Sequence, residues 1–381
     1  MECIEETEGK TRFFVPVQDP DTAFPPGTAA VFFNRRMELN RDITVLLTSV
    51  ISPGNYLDAM GATGVRGLRI AGECGIPVTI NDKNPRAADL IRHNAALAGH
   101  QIEVTCEDVN VLLSGRRFDA VDLDPFGTPA PFIDSAVRGT HRYLMVTATD
   151  TAPLCGAHKK AGIRRYFAEA MNNEYHAETG LRILMAYIVR ETVKYDRGIE
   201  PLFCFAHEHF VRLHFRLTYG AHRADNALKH IGYILQCQSC PHRHEVYGIL
   251  PSSSSCPECG RLLTPVGPLW LGKIQDDQII DLMRAAMPQH TLGTARDIEK
   301  LLLLCKEELP VAGFYDYHQL AKMQKTSPPP IGRLLDYLAE MGFAAGRCHY
   351  CGTGIKTDAP VRDILAAIRD LQSELKMTAG S

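Results

Sequence analysis

This chain of 381 residues has few tryptophans, no long apolar run and little excess of charge of either sign. A single tryptophan and a formal net charge of −3 exclude a protein that acts as a bulk polycation, but not one with a local basic surface. The longest apolar run, 183–189, is far shorter than the roughly 20 residues that cross a bilayer, and the acidic residues 1–6 do not resemble a signal peptide. We therefore expect a globular, cytoplasmic protein without membrane contact.

Short β-rich runs alternate with helical stretches from residue 55 to about residue 217. Five of these runs begin near residues 56, 78, 103, 120 and 143, and two more follow at 202–205 and 209–217. Strands that alternate with helices are typical of a parallel sheet covered by helices. We predict an α/β, Rossmann-like domain with roughly seven strands.

The pattern changes at a predicted domain boundary that divides the chain into residues 1–221 and 222–381. In the second part, 276–287 and 294–308 predict amphipathic helices, and 316–341 resembles a helix-turn-helix followed by a wing. We expect a smaller α+β domain of winged-helix-like form. A helical hairpin that only packs is at least as common as one that contacts nucleic acid.

A glycine-rich segment, residues 58–67, follows the first predicted strand and opens the first helix. A loop that binds NAD normally has the pattern G-x-G-x-x-G, whereas here an acid, Asp58, lies three residues before Gly61. An acid at this place suits the methionyl ammonium of S-adenosylmethionine and would oppose a pyrophosphate. Asp82, 21 residues after Gly61, has the spacing of a carboxylate that accepts hydrogen bonds from ribose hydroxyls.

Asp108 and Val109 follow the third predicted strand. Here the Asp108 carboxylate can accept a hydrogen bond from the adenine amino group while the Val109 amide meets a ring nitrogen. Taken alone, Asp108 is equally a surface acid or a helix cap. Together with Asp58 and Asp82, it favours a site for S-adenosylmethionine.

Asp124, Pro125 and Phe126 end the fourth predicted strand. An aromatic amino group is a poor nucleophile, so an enzyme that methylates one must hold its nitrogen and remove its proton. Asp124 supplies the acceptor for both tasks, and Phe126 offers a face on which a purine stacks, a contact of about 1–3 kcal/mol. The alternative is an Asp-Pro turn that only ends a strand.

Four cysteines have the spacing C-x2-C-x15-C-x2-C: Cys237, Cys240, Cys256 and Cys259. This spacing is typical of a tetrahedral zinc site, and four thiolates leave no open position on the metal. We therefore predict a structural zinc ion, with disulfides as the alternative. His242 and His244 lie between the two pairs, but four matched cysteines need no further ligand.

Residues 158–165 carry four formal positive charges and no acid. A cluster of this kind is suited to contact phosphates. A solvated helical face is the alternative, and charge alone favours it.

Further strings accompany these motifs at residues 6–9, 15–16, 31–42, 147–156, 176–182 and 354–360. Taken in order along almost the whole chain, the motifs resemble the tRNA guanine-26 N2-dimethyltransferase family. The resemblance implies a class I methyltransferase domain that dimethylates the exocyclic N2 of guanine 26 in tRNA with S-adenosylmethionine. It implies tRNA as the partner, and we expect no obligate protein partner. It also implies Asp124 as the catalytic acid residue and cofactor contacts from Arg36, Arg66, Asp82, Asp108 and Val109.

The chain departs from the family pattern at two places. Residues 34–36 read Asn-Arg-Arg where the family usually has Asn-Pro-Arg, and residues 348–351 form a C-x-x-C pair that the family usually lacks. Two other functions stay open from the residues alone. One is a non-enzymatic, zinc-containing RNA-binding module, and the other is a methyltransferase acting on adenine N6 or protein glutamine.

Overall fold

The structure, a computed structural model, describes residues 2–17, 31–251 and 253–379. Near its start β1 (Cys3–Glu8) and β2 (Thr11–Pro16) form an antiparallel hairpin. A short 3-10 helix, Arg35–Met37, then leads into α1 (Glu38–Ile51). These elements precede the central sheet in the chain.

The central sheet and its connecting helices follow as one α/β unit. In chain order its elements are β3 (Tyr56–Asp58), α2 (Val65–Cys74), β4 (Val78–Asn81), α3 (Pro85–Ala98), β5 (Glu103–Thr105), α4 (Val109–Gly115), β6 (Phe118–Leu123), a 3-10 helix (Ala130–Phe132), α5 (Ile133–Gly139), β7 (Thr140–Ala148), α6 (Thr151–Leu154), α7 (Lys159–Tyr166), α8 (His176–Val193), β8 (Arg197–Pro201), β9 (Phe205–His207), β10 (Phe210–Tyr219) and α9 (Ala221–Leu228).

The strand order of this eight-stranded sheet is β5-β4-β3-β6-β7-β10-β8, with β9 paired to β10. Strands β3 to β7 are parallel, and β10 runs antiparallel to β7, β8 and β9. The predicted α/β, Rossmann-like fold is thus confirmed. The winding reverses between β3 and β6, and ligands of such sheets bind at the carboxyl ends of the strands beside that point.

Local sequence signals explain the helix that follows β4. The Asn84 side chain accepts a hydrogen bond from the Arg86 backbone N at 3.1 Å, which caps the first turn of α3. Pro85 occupies the first helical position, where its missing N–H costs nothing. Gly99, with φ of 70°, ends the helix in the left-handed conformation that glycine adopts most easily.

The predicted strand at 202–205 is wrong over residues 202–204. Strand β8 ends at Pro201 and β9 begins at Phe205, so residues 202–204 form a buried connection, in which Phe203 makes one isolated bridge to Gln275. The run is apolar because the connection packs in the core, and a short apolar run alone does not distinguish a strand from a buried connection. The other predicted runs are confirmed as β3 to β7 and β10.

The rest of the chain forms two small sheets and a set of helices. In chain order the elements are β11 (Ile231–Gln236), β12 (Arg243–Tyr247), β13 (Thr264–Trp270), α10 (Asp277–Ala286), a 3-10 helix (Met287–Gln289), α11 (Ala295–Glu307), β14 (Tyr315–Asp316), α12 (Tyr317–Met323), α13 (Ile331–Glu340), β15 (Ala345–Arg347), β16 (Gly354–Thr357) and α14 (Val361–Ala379). The sheet orders are β12-β11-β13 and β14-β16-β15. With α12 and α13, the second sheet has the predicted winged-helix-like form.

The two predicted domains pack closely on each other. Ile280 and Met283 of α10 and Leu302 of α11 share a buried cluster with Ile43 of α1. The Arg182 guanidinium of α8 also donates to the carbonyls of Trp270, the last residue of β13, and of Gly272 just beyond it, at 2.8 and 3.1 Å. The boundary after residue 221 stays a prediction. Within the described residues, every helix is too short or too polar to span a membrane.

Candidate active site

A cavity of about 500 Å³ opens at the carboxyl ends of β3, β4 and β6. Its lining contains all nine residues predicted for the cofactor site or for catalysis: Arg36, Asp58, Gly61, Arg66, Asp82, Asp108, Val109, Asp124 and Phe126. The turn Glu208 to Phe210 between β9 and β10 also lines the cavity. The fold therefore brings together all the side chains that the sequence selected for this chemistry.

The glycine loop forms one wall of the cavity because it packs directly on β4. A Cβ atom on Gly61 would lie 2.4 Å from Ile80 Cγ2, and one on Gly67 would lie 2.6 Å from Ile80 Cγ1. Gly64 has φ of 81°, in the left-handed region that favours glycine. Only small residues at these places let the backbone turn here and leave room for a ligand.

Asp58 is buried at the end of β3 and lines the cavity. Its Oδ2 accepts a hydrogen bond from the Gly67 backbone N at 3.0 Å, which ties the strand end to the first turn of α2. Burial, partly offset by the positive charge of Arg66, raises the pKa of Asp58 to about 7. A cationic ligand beside this carboxyl would favour its ionised form.

Asp82 and Asp108 line the cavity along the next two strands. The two Asp82 oxygens accept hydrogen bonds from the backbone N of Ala62 and of Asn84, both at 2.9 Å, so the side chain joins the glycine loop to the start of α3. Asp108 caps α4, because its Oδ1 accepts from the Asn110 backbone N at 2.8 Å. The helix-cap alternative is therefore correct for Asp108, and this role is compatible with a position at the cavity.

Asp124 and Phe126 lie at the end of β6, where the chain leaves the sheet. The Asp124 side chain is 21% exposed, and its Oδ2 accepts a hydrogen bond from the Arg66 guanidinium. Phe126 is 64% exposed, and its ring lies 5.8 Å from that of Phe32, which is buried. A fixed carboxylate beside an open aromatic ring is an arrangement that can hold a planar base and accept a proton from it.

A buried network of charged side chains lies next to the end of β6 and fixes Arg66. Asp122 is fully buried and accepts hydrogen bonds from Tyr56 Oη at 2.6 Å and from Arg66 Nη1 at 3.3 Å. Arg212 on β10 donates to it through Nη1 at 2.7 Å. Burial raises the pKa of Asp122, but the charges of Arg212 and Arg66 outweigh this effect and leave the pKa well below its usual range. Asp122 therefore stays ionised and fixes both arginines.

Arg212 is in turn held by a neutral histidine. Its Nε donates to His214 Nε2 at 3.0 Å, and His214 Nδ1 lies 2.6 Å from the Phe203 carbonyl oxygen. Burial and the charge of Arg212 lower the pKa of His214 to about 3, so the imidazole remains neutral and Nδ1 donates to Phe203. The sequence analysis missed Arg212 and His214, because β10 alternates apolar with polar residues and such alternation is typical of a strand with one solvated face.

Arg36 lies exposed at the rim of the cavity, in the 3-10 helix before α1. Asn34 caps this helix by accepting from the Arg36 backbone N at 3.0 Å, and the Asn34 carbonyl accepts from Arg41 Nη1 at 3.1 Å. Arg41 is itself paired with the buried Glu8 of β1 at 2.6 Å. The turn before Arg36 is therefore held in place without the proline that the family usually has.

The four predicted cysteines come together in the two loops that follow β11 and precede β13. Their sulfur atoms lie within 4.8 Å of one another, and two of the distances are 3.5 Å. A zinc ion with bonds of about 2.3 Å in tetrahedral geometry sets sulfur atoms about 3.8 Å apart. All twelve cysteines are described, and all are free thiols, so the disulfide alternative is not supported.

The remaining cysteine pair does not form a second cluster of this kind. Cys348 is buried, and its thiol donates to the Cys351 carbonyl at 3.7 Å. Cys351 Sγ lies 3.2 Å from Thr353 Oγ1. Among the residues that the structure describes, the only group of three or more side chains placed to hold a metal is the four-cysteine cluster.

Comparison with known proteins gives one consistent family. A family model described as N2,N2-dimethylguanosine tRNA methyltransferase matches residues 9–369. A relative from Methanoregula boonei, named tRNA (guanine(26)-N(2))-dimethyltransferase, is 60% identical over 97% of this chain and 99% of its own length. One of the same name from Methanosarcina acetivorans is 41% identical over 97% of this chain and 100% of its own length. The solved structure of Trm1 from Pyrococcus horikoshii with S-adenosyl-L-methionine is 34% identical, with a TM-score of 0.87 over 96% of this chain and 99% of that one.

Proposed function

The chain belongs to the N2,N2-dimethylguanosine tRNA methyltransferase family, and we propose that it transfers two methyl groups in succession to the exocyclic N2 of guanine 26 in tRNA. The observation that carries the proposal is the end of β6, where Asp124, held by Arg66, lies on the cavity wall beside the exposed ring of Phe126. An RNA-binding module without catalysis would have no need for a carboxylate in this place.

The residues of the cavity fit S-adenosylmethionine as the methyl donor. A volume of about 500 Å³ lies within the range of about 300–1,000 Å³ typical of small-molecule sites. The glycine loop packs on Ile80 too closely for any side chain, which leaves its cavity side open to the ligand. Asp58 would hold the ammonium group, Asp82 the ribose hydroxyls, and Asp108 with Val109 the adenine ring.

Arg36, Gly61 and Arg66 complete the proposed cofactor site. Arg36 at the rim would contact the ligand from the solvent side, and the Gly61 backbone would approach it closely. Arg66 is bonded to both Asp122 and Asp124, so its first role is to hold the catalytic carboxylate beside the cofactor. When bound, S-adenosylmethionine supplies an electrophilic methyl group on its sulfonium centre.

Asp124 performs the acid–base part of the reaction. The guanine amino group is a weak nucleophile, and Asp124 would accept a hydrogen bond from it, orient its lone pair and take the proton that is lost on methylation. The Arg66 guanidinium fixes the Asp124 carboxylate, so that little reorganisation is needed. Phe126 would stack on the purine after the base has left its helical stack, as chemistry on a paired base requires.

We further propose that the four-cysteine cluster holds one structural zinc ion. The cluster joins the loop after β11 to the loop before β13, and little core surrounds it besides Tyr233, Leu235 and Leu263. Four thiolates would supply the cross-link that so small a core lacks. His242 and His244 lie beside the cluster, and their rings approach each other at 3.3 Å instead of completing it.

We assign the part beyond residue 221 to tRNA contact and the part before it to catalysis. The winged-helix-like sheet and the cysteine cluster both lie in the second part. The shared core of α1, α10 and α11 joins the two parts of the chain. RNA bound by the second part would therefore have a fixed position relative to the cavity of the first part. We propose tRNA as the partner and expect no obligate protein partner and a cytoplasmic location.

The test is mass spectrometry of nucleosides from a tRNA transcript incubated with the protein and labelled S-adenosylmethionine. We expect N2-methylguanosine first and N2,N2-dimethylguanosine later, both lost when guanine 26 is replaced by adenine. Parallel incubations with DNA and with a release-factor protein separate this function from methylation of adenine N6 or of glutamine. Label in either of those substrates and none in the tRNA would overturn the proposal.

A further inference from the structure

A basic surface lies on α7, the helix formed by the basic segment of the sequence. We call it the α7 surface, and its members are Lys159, Lys160, Arg164, Arg165 and Phe167. All five side chains are exposed, and residues 157–168 contain no acid. The α7 surface is thus a solvated helical face, which was the alternative favoured by charge alone. Whether it also contacts phosphates depends on its position relative to the cavity.

The α7 surface is anchored beside the mouth of the cavity. Tyr166, the last residue of α7, places its hydroxyl 2.7 Å from Thr128 Oγ1 and 2.7 Å from Asp150 Oδ1. Thr128 lies two residues after Phe126, so α7 is fixed to the loop that carries the proposed stacking ring. At Gly162 the helix approaches α6 so closely that a Cβ atom would lie 2.8 Å from the Pro153 carbonyl oxygen.

Half of the positive charge on this surface has no ion-pair partner among the described residues. Lys159 lies 3.5 Å from Glu169, and Arg165 lies 3.2 Å from Asp150. Within the described residues, Lys160 and Arg164 form no ion pair or side-chain hydrogen bond. Lysines in the first turn oppose the helix dipole and so do not stabilise α7, which favours a role for them in contact with an anion.

An exposed aromatic ring completes the surface. Phe167 follows α7 with φ of 51° and is 69% exposed. A phenylalanine gains nothing from solvent, and a non-glycine residue with positive φ is uncommon. Cations beside an open aromatic ring are typical of surfaces that bind nucleic acid, because the cations contact phosphates and the ring stacks on a base.

The helix-turn-helix offers a weaker surface for phosphates. α13, in the position of a recognition helix, has one arginine, Arg333, against two acids, Asp336 and Glu340. Arg333 itself lies 3.6 Å from Glu374 of α14. A helix with this charge adds less attraction for a polyanion than α7, which carries four cations beside the loop that holds Phe126.

We propose that the α7 surface binds the sugar–phosphate backbone of the tRNA next to the target guanine, a proposal that rests on the function proposed above. Lys160 and Arg164 contact phosphates, and Phe167 stacks on an unpaired base or on one displaced at the junction of two stems. The contacts hold the RNA beside Phe126 while the guanine enters the cavity.

The test is tRNA binding by Lys160→Ala/Arg164→Ala, measured by fluorescence anisotropy over a series of salt concentrations. Each lost phosphate contact lowers the slope of log K against log salt by about 0.7–0.9, so we expect the double variant to lose about 1.4–1.8 from the slope. The matched control, Lys10→Ala/Arg117→Ala, removes one exposed lysine and one exposed arginine that lie before residue 221 and outside the cavity lining, and it should keep the wild-type slope. S-adenosylmethionine affinity should be unchanged in both, which verifies the fold.

Phe167→Ala provides a second, independent measurement. Because stacking is not ionic, this variant should bind tRNA more weakly with an unchanged salt slope. If wild type methylates guanine 26 but Lys160→Ala/Arg164→Ala binds tRNA with the wild-type slope, the α7 surface is refuted and the proposed function stands. If wild type neither binds tRNA nor methylates it, both proposals fail.

Discussion

Replacing Asp124 by asparagine is the most direct test of the proposed chemistry, because the structure defines what the change removes. In the wild-type protein, Arg66 donates to Asp124 Oδ2, and Oδ1 accepts no hydrogen bond from the described residues. An asparagine would keep its one oxygen on Arg66 and turn its NH2 group toward the guanine amino group. A proton acceptor would thus become a donor that faces another donor.

The expected loss in rate is about 10²–10⁴-fold, the usual contribution of a general base. The assay is single-turnover methylation at saturating tRNA and S-adenosylmethionine, with both binding affinities measured separately and expected to stay near wild type. Asp89→Asn, an exposed change on α3 away from the cavity lining, is the matched control. A rate for Asp124→Asn within a few-fold of wild type would refute the acceptor role. Asp122 could not replace it, because it is fully buried and both of its oxygens are already bonded.

Four further outcomes follow from the same contacts. Asp82→Ala should weaken S-adenosylmethionine binding by about 1.5–3 kcal/mol, or roughly 10–150-fold, and wild-type affinity by calorimetry would remove Asp82 from the site. Since the pKa of Asp58 is raised to about 7 and its ionised form would bind the cationic ligand, affinity should rise as the pH increases through about 7. Asp58→Asn should abolish this dependence, and a flat wild-type profile would exclude the role. Cys256→Ser should lose its zinc and make the region after residue 221 sensitive to proteolysis before cofactor binding suffers, whereas full metal content by elemental analysis would contradict the site. Arg212→Met leaves the buried charge of Asp122 without its main partner, so the free energy of unfolding should fall by about 3–5 kcal/mol; a loss below about 1 kcal/mol in chemical denaturation would contradict the network.

Much of the site was predictable because its residues follow strands in the sequence. Asp58, Asp82, Asp108 and Asp124 each end or follow a predicted parallel strand, and the carboxyl ends of parallel strands meet at one edge of the sheet. Local sequence alone therefore placed these four acids around one cavity. The cysteine cluster was predictable for a similar reason, since two C-x-x-C knuckles carry their own ligand geometry.

The support beneath the site was not predictable in this way. Arg212 reaches Asp122 only because β10 pairs antiparallel with β7 and sets Arg212 opposite Thr147, and no local pattern specifies that register. The strand prediction at 202–205 was wrong for a related reason. The residues there are apolar because they pack in the core, and not because they follow the alternation of a strand. The sharing of one core by α1, α10 and α11 likewise depends on contacts between residues more than 200 positions apart.

Arg66 links the two halves of the proposed chemistry. It lies in the first turn of α2, whose Gly67 backbone N is bound by Asp58, and its guanidinium joins Asp122 to Asp124. The helical turn that lines the proposed cofactor site is therefore the same turn that fixes the proposed proton acceptor. We therefore expect a shift of the glycine loop to move the Asp124 carboxylate with it. This coupling explains why a charged residue is buried at a position where packing alone would favour an apolar side chain.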